Sequence, residues 1–164
     1  VCAALGEVAG AGVVAVVPPA VRVPAVAART LEDPPGGGPL AGIDAGLAAL
    51  SVGADTWVVV VSVDCPGIGD VLRALLRDPL PADSDGRILR GGDPEPFDQY
   101  LMGVYRAGAL CRVIDEAVAR HGGAPRPARP DAGAGGYERR RVPGRRYARG
   151  SGLVGVLYRL MICQ

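Results

Sequence analysis

The 164 residues of the chain suffice for one ordinary domain with a substantial hydrophobic core. Hydrophobic residues make up 49% of the chain and charged residues 21%, which is typical of a soluble globular protein. All 18 basic residues are arginine, so the chain as given excludes any mechanism that requires a lysine ammonium group.

Charge is distributed unevenly along the chain, although the net charge is only +1. Residues 1–120 carry nine arginines against fifteen acidic side chains, a net charge of −6. Residues 121–164 carry nine arginines against two acidic side chains, a net charge of +7. The two segments therefore differ in character, which predicts a boundary near residue 121.

The four cysteines are widely scattered, and no C-x-x-C pair occurs. With a single histidine in the chain, this pattern argues against a zinc site and favours a reduced, cytoplasmic compartment. The chain begins with neither a methionine nor a charged leader, so we expect that its true start lies upstream.

The first third of the chain predicts a strand, a loop and a helix. Residues 13–17 are an apolar run that ends at two prolines, as in a buried strand, whereas residues 21–31 are predicted to be irregular. A loop rich in glycine and proline follows, and it is either a flexible connector or an anion site at a helix N-terminus. The helix is predicted from its apolar positions, which are Leu40, Ile43, Leu47 and Leu50.

Residues 57–63 predict the central strand of a parallel sheet. Six of these seven residues are valine or tryptophan, which suits a strand that is buried on both faces. Asp64 follows directly. Ligands of open α/β sheets bind at the carboxyl ends of the strands, so Asp64 is the first candidate for a functional carboxylate. The alternative is that Asp64 only caps the end of the strand.

The next segment predicts two further strand and helix units. Asp70 is the expected N-cap of a helix over residues 71–77, and residues 87–89 form a candidate short strand. Residues 99–105 predict a longer strand, with Tyr100 and Tyr105 expected in the core, and residues 107–120 predict an amphipathic helix. This alternation indicates an α/β fold with a parallel sheet and right-handed crossovers.

Residues 122–164 predict an Arg/Gly/Pro-rich tail that is disordered or read in a shifted frame, so that residues 1–121 form the domain. An apolar segment at its end is too short to span a membrane. A basic cluster in the tail offers an alternative role in nucleic-acid binding, which we do not favour. Its members are Arg139, Arg140, Arg141, Arg145 and Arg146.

Three motifs in this order resemble the molybdenum cofactor guanylyltransferases and related nucleotidyltransferases. The first is Glu32-Asp33-x-x-x-x-Gly38-Pro39-Leu40-Ala41-Gly42, and the second is Asp64-Cys65-Pro66 at the end of the buried strand. The third is Gln99-Tyr100-Leu101-Met102-Gly103-Val104-Tyr105-Arg106. The resemblance covers about residues 2–120.

The resemblance implies a Rossmann-like three-layer nucleotidyltransferase fold with a mostly parallel sheet. It implies transfer of GMP from GTP to the phosphate of molybdopterin, with release of pyrophosphate and with Mg²⁺ as cofactor. By resemblance Asp64 is the catalytic residue and the metal ligand, and Asp33, Gly38, Pro39 and Leu40 bind the nucleotide. A molybdoenzyme or a cofactor-insertion protein is the candidate macromolecular partner; nucleic acid and membranes are not expected partners.

Proteins of this family open with a glycine-rich loop that supplies a lysine to the phosphates, and this chain has no such loop before Cys2. We therefore expect a domain that is truncated at its N-terminus. Two alternatives stay open: a related nucleotidyltransferase that uses another NTP or acceptor, and a non-catalytic remnant that retains the α/β core. Asp33 before a proline is also ordinary turn chemistry.

Overall fold

The computed structural model describes residues 2–8, 12–25, 27–65, 67–80, 82–92, 94–121 and 153–158. The helices in this part of the chain are α1 (Cys2–Val8), α2 (Gly38–Leu50), α3 (Ile68–Leu76) and α4 (Ala107–Arg120). The strands are β1 (Val13–Val16), β2 (Ala27–Thr30), β3 (Trp57–Ser62), β4 (Gly86–Gly91), β5 (Phe97–Arg106) and β6 (Leu153–Tyr158).

The six strands form one mixed sheet in the order β2-β1-β6-β3-β5-β4. The strands β2, β1, β6 and β3 are parallel, which confirms an α/β fold with a largely parallel sheet. The sheet is mixed because β5 runs antiparallel to both β3 and β4. The short loop between β4 and β5 explains this, because parallel neighbours need a connection of about a dozen residues or more.

Strand β6 was not predicted from the sequence. It pairs in parallel with β1 on one side and β3 on the other, so that residues 153–158 fill the gap between the two most buried strands. From the sequence alone these residues resemble an apolar tail. Residues 122–152 and 159–164, including the basic cluster, lie outside the described residues, so the proposed boundary at residue 121 stays a prediction.

Strand β2 also departs from the prediction, since residues 21–31 were expected to be irregular. Its sequence, Ala-Ala-Arg-Thr, has little β propensity, and its four residues are half-buried or exposed at the edge of the sheet. The strand forms because its backbone pairs in parallel with β1 from Ala27 to Thr30. Tertiary pairing has here overridden local preference.

The core lies on both faces of the sheet. All six residues of β3 are buried, which confirms the predicted central strand. On one face Trp57, Val59 and Val61 pack with buried residues of α1 and α3, and on the other Val58 and Val60 pack with α2 and α4. Such two-sided burial is what a continuous valine run predicts. None of the helices within the described residues has the length and apolar character needed to cross a membrane.

Arg87 fixes the end of α3, the helix that follows the central strand. Its guanidinium donates hydrogen bonds to the carbonyl oxygens of Leu75 (2.8 Å), Asp78 (3.0 Å) and Pro79 (2.8 Å). These are acceptors at or just beyond the C-terminus of the helix, where a cation is favoured and carbonyl groups lack helical partners. The side chain from β4 therefore anchors α3 against the sheet.

The two tyrosines that were expected in the core differ in burial. Tyr100 is 66% exposed, so its assignment to the core is wrong. Tyr105 is half-buried against the α2 and α4 face, and its hydroxyl donates to the Tyr100 carbonyl oxygen over 2.6 Å. Burial, with a smaller contribution from the charge of Tyr100, raises the pKa of Tyr105 to about 12. Tyr100 lies in the part of β5, between Gln99 and Gly103, where the pairing with β4 shifts register.

Candidate functional site

The carboxyl ends of the four parallel strands form one row at the same edge of the sheet. Thr30 pairs with Val16, Val16 pairs with Tyr158, and Tyr158 pairs with Ser62. Asp33 follows the end of β2, and Asp64 follows the end of β3. The ends of β2 and β3 are three strand spacings apart, which is about 14 Å at the usual distance between neighbouring strands. The register therefore places both predicted carboxylates at one edge, after strands that lie three spacings apart.

Asp64 is an exposed residue in the turn after β3. Its Oδ1 accepts a hydrogen bond from the hydroxyl of Ser62, the last residue of the strand. Ser62 is only 6% exposed. In this turn a buried hydroxyl therefore donates a hydrogen bond to a carboxylate that faces solvent. Cys65 is half-buried beside it, and Pro66 lies outside the described residues.

The helix after this turn begins differently from the prediction. The N-cap of α3 is Gly67, which has no side-chain capping bond. Asp70, the expected N-cap, lies in the first turn of the helix and pairs with Arg73. An acidic side chain in the first turn still interacts favourably with the helix dipole, so the residue type suits its neighbourhood although the boundary was wrong.

The loop between β2 and α2 has hydrogen bonds of its own. The backbone N–H of Gly36 donates to Oε1 of Glu32 over 2.8 Å, and the N–H of Gly37 donates to the Pro34 carbonyl oxygen over 2.9 Å. A Cβ on Gly37 would lie 2.8 Å from the Cβ of Ala41 and 2.9 Å from the Pro34 oxygen. The residue therefore has to be glycine for the loop to pack this closely onto the helix.

The predicted nucleotide-binding residues Gly38, Pro39 and Leu40 form the first turn of α2. Gly38 has a φ of +84°, a backbone conformation that favours glycine. Pro39 has no N–H, so the N-terminus offers fewer backbone donors to an anion than an ordinary helix does. Leu40 is 42% exposed rather than packed with the buried Ile43 and Leu47. The first turn of α2 thus exposes an apolar side chain, and the loop before it exposes the carboxylate of Asp33.

Two carboxylates of the first motif have different environments. Glu32 is half-buried and binds the loop backbone, whereas Asp33 is exposed. Asp64, which follows β3, is also exposed. Among the described residues no group of three or more His, Cys, Asp and Glu side chains is arranged to hold a metal ion. The edge therefore offers separate single carboxylates and not a preformed metal cage.

Sequence reasoning singled out Asp33 and Asp64 but gave no role to Glu32 or Ser62. The signal for Ser62 was present, because it is the one polar residue in an otherwise apolar strand and stands two positions before the carboxylate. A side chain in that position of a strand end can reach back to the turn. Glu32 precedes a turn whose backbone donors need acceptors, and this need is not visible in the sequence pattern.

A largely parallel α/β sheet with carboxylates and a glycine-rich loop at its carboxyl edge is the architecture of a ligand-binding α/β domain. The family model for the MobA-like NTP transferase domain matches residues 1–128. The chain belongs to this family, which supports nucleotide binding and a nucleotidyltransferase-type function. No curated protein and no solved structure matched the chain.

Proposed function

We propose that the chain is a magnesium-dependent nucleotidyltransferase of the molybdenum cofactor guanylyltransferase type. It transfers GMP from GTP to the phosphate of molybdopterin and releases pyrophosphate. The observation that carries this proposal is Asp64, an exposed carboxylate after the central strand, on the same edge as the Asp33 loop. Family membership supports the reaction class. The choice of GTP as the nucleotide and of molybdopterin as the acceptor rests on the resemblance of the three sequence motifs.

The reaction requires no nucleophile from the protein. An oxygen of the molybdopterin phosphate attacks the α-phosphorus of GTP, a new P–O bond forms, and the bond between the α-phosphorus and the bridging oxygen breaks. Pyrophosphate leaves with the electron pair. Catalysis of phosphoryl and nucleotidyl transfer rests on positioning and on stabilising negative charge, so carboxylates that place a metal and a nucleoside are the side chains to expect.

Mg²⁺ fits the donor chemistry of this edge. This ion is usually held by one or two carboxylates, substrate phosphates and water, without a cage made only of protein ligands. Asp64 offers one exposed carboxylate with a second oxygen that no described hydrogen bond uses. When bound, the ion would neutralise charge on the phosphates and on the departing pyrophosphate. Asp64 would hold the ion at the carboxyl end of β3.

Asp33 would act at the nucleoside end of the substrate. A carboxylate only accepts hydrogen bonds, and the hydroxyl groups of ribose and the N–H groups of guanine are donors. The exposed side chain of Leu40 beside the loop would contact a face of the base. The ends of β2 and β3 are three strand spacings apart, about 14 Å. At this separation Asp33 and Asp64 would contact opposite ends of one nucleotide.

The direct test is a transfer assay with the full chain, GTP labelled at the α-phosphate, Mg²⁺ and molybdopterin. We expect label in a guanine dinucleotide product and one pyrophosphate per transfer, with less transfer from labelled CTP. A folded protein that transfers no label would contradict the proposal. GTP binding without transfer, unchanged in Asp64→Ala, would identify a non-catalytic nucleotide binder. Cytoplasmic localisation and a molybdoenzyme or cofactor-insertion partner belong to the same proposal.

A further inference from the structure

We propose that Ser62 is a positioning residue for the Asp64 carboxylate, and this inference rests on the proposed function of Asp64. The hydroxyl of Ser62 holds Oδ1, so that Oδ2 faces the nucleotide-bound metal in a fixed orientation. Ser62 itself contacts neither substrate nor metal.

The first observation is the burial of the hydroxyl. Ser62 is 6% exposed, and among the described residues it is the one polar side chain in the buried class. It ends a strand whose other five residues are buried tryptophan and valine. A serine in such a position must direct its hydroxyl to an acceptor, because an unpaired buried hydroxyl is unfavourable. The acceptor is Oδ1 of Asp64.

The second observation is the contrast in exposure between donor and acceptor. Asp64 is exposed, so its carboxylate would rotate among several rotamers if it were unrestrained. The backbone of Ser62 is held by pairing with β6, and the side chain lies at the end of the central strand. A rigid donor thus restrains a side chain that faces solvent. Carboxylates that bind metals are commonly oriented by such hydrogen bonds, and their loss costs about 10–100-fold in metal affinity or activity.

A purely structural role for the bond makes a different prediction. Removing the Ser62 hydroxyl leaves no buried polar atom unpaired, because water can hydrate the exposed Asp64 carboxylate. If the bond only satisfies the hydroxyl, Ser62→Ala changes stability slightly and leaves metal-linked nucleotide binding as it was. If the bond orients Asp64, metal-linked binding falls while the fold persists.

The experiment measures GTP binding to the full chain by calorimetry, once with saturating Mg²⁺ and once with a chelator. The ratio of the two dissociation constants is the gain due to the metal. We expect Ser62→Ala to reduce this gain about tenfold, as for other partners of metal-binding carboxylates. Ser62→Thr keeps a hydroxyl and a β-branched side chain suited to a strand, and we expect it to retain the gain within about threefold.

A double-mutant cycle with Asp64→Ala gives the sharpest readout. Ser62→Ala should have no further effect on the metal gain when Asp64 is already alanine, since its effect passes through that carboxylate. Equal effects in both backgrounds, or a wild-type gain in Ser62→Ala, would overturn the inference and leave the proposed function standing. A wild-type chain whose GTP binding gains nothing from Mg²⁺ would overturn both. Urea denaturation of each variant confirms that folded proteins are compared.

Discussion

Two loops leave the same edge of the sheet and enter helices, yet they use their acidic side chains differently. In the loop from β2 to α2 the carboxylate of Glu32 accepts a hydrogen bond from the backbone of Gly36. In the turn from β3 to α3 the carboxylate of Asp64 accepts a bond from a buried side chain and is itself exposed. The first acidic group stabilises its loop, and the second faces solvent.

The backbones of the two loops also differ in how closely they pack against neighbouring residues. Gly37, before α2, packs so closely that a Cβ would overlap with Ala41 and Pro34. A Cβ on Gly67, before α3, would meet no atom of the described residues within 4 Å. Substitutions in the first loop should therefore act mainly on stability. Substitutions in the second should act mainly on function, because its shape does not depend on a close backbone contact.

The largest expected effect is that of Asp64→Ala on nucleotidyl transfer. Loss of a carboxylate that holds the metal removes several kcal/mol of charge stabilisation, so we expect the rate to fall by about 100-fold or more. Stability should change by less than about 0.5 kcal/mol because the side chain is exposed. Transfer of labelled GMP and urea denaturation measure the two quantities.

Asp70→Ala is the matched control for this variant. Asp70 is an exposed carboxylate in the helix that follows the same turn, and its partner is Arg73. We expect its transfer rate to stay within about twofold of wild type, since an exposed ion pair contributes at most about 1 kcal/mol to stability. Equal losses in Asp64→Ala and Asp70→Ala would show that general charge at this edge, and not one carboxylate, governs activity.

The next effect is on stability, in Gly37→Ala. The new Cβ would lie 2.8 Å from the Cβ of Ala41, so the loop or the helix must shift. We expect a loss of about 2 kcal/mol, the usual cost of overpacking. Gly67→Ala is the matched substitution at the other helix start, where φ is −95° and space is open. It should cost less than about 1 kcal/mol, the difference between glycine and alanine at an N-cap, and equal losses at the two glycines would refute the contrast between the loops.

The paired substitutions Glu32→Ala and Asp33→Ala separate the two neighbours in the first loop. Glu32→Ala removes the acceptor of the Gly36 N–H and should cost about 1 kcal/mol of stability. Asp33→Ala should leave stability within about 0.5 kcal/mol and weaken GTP binding about tenfold. Denaturation curves and calorimetric titration with GTP test the pair. An exchange of the two phenotypes would contradict the assigned roles.

The last expected effect is alkaline, and it lies outside both loops, at Tyr105. Its pKa is raised to about 12 in the folded chain, above the ordinary value of 10.0. The unfolded chain therefore releases this proton first, so the stability contribution is complete below pH 10 and is lost as the pH rises towards 12. Urea denaturation in this window should show a shallower loss of stability in Tyr105→Phe than in wild type. Parallel curves would contradict the assignment.

The elements of the fold that could be predicted are those with strong local signals. The valine run of β3 and the helical spacing in α2 and α4 indicated their structures, because burial on two faces leaves a continuous apolar run and burial on one face leaves a periodic pattern. The direction of β5 and the insertion of β6 between β1 and β3 could not be predicted in this way. Both depend on pairing between distant segments, and a strand carries no local mark of its neighbours.

The exposed carboxylates of the candidate site could be predicted from the sequence, but the hydrogen bonds around them could not. Asp33 and Asp64 stand at strand ends, where the topology of α/β sheets makes polar residues informative. That Glu32 binds the loop backbone and Ser62 binds Asp64 follows from the folded turns. Side-chain partners of this kind depend on rotamers and on turn geometry, which one sequence does not specify.

We expect Asp64 to link metal binding to nucleotide binding at the end of the central strand. The most direct test compares the affinity of wild type and of Asp64→Asn for GTP over a series of Mg²⁺ concentrations, because asparagine keeps the shape of the side chain and removes its charge. We predict that Mg²⁺ strengthens GTP binding by wild type and not by the variant. Equal strengthening in both proteins would contradict the claim.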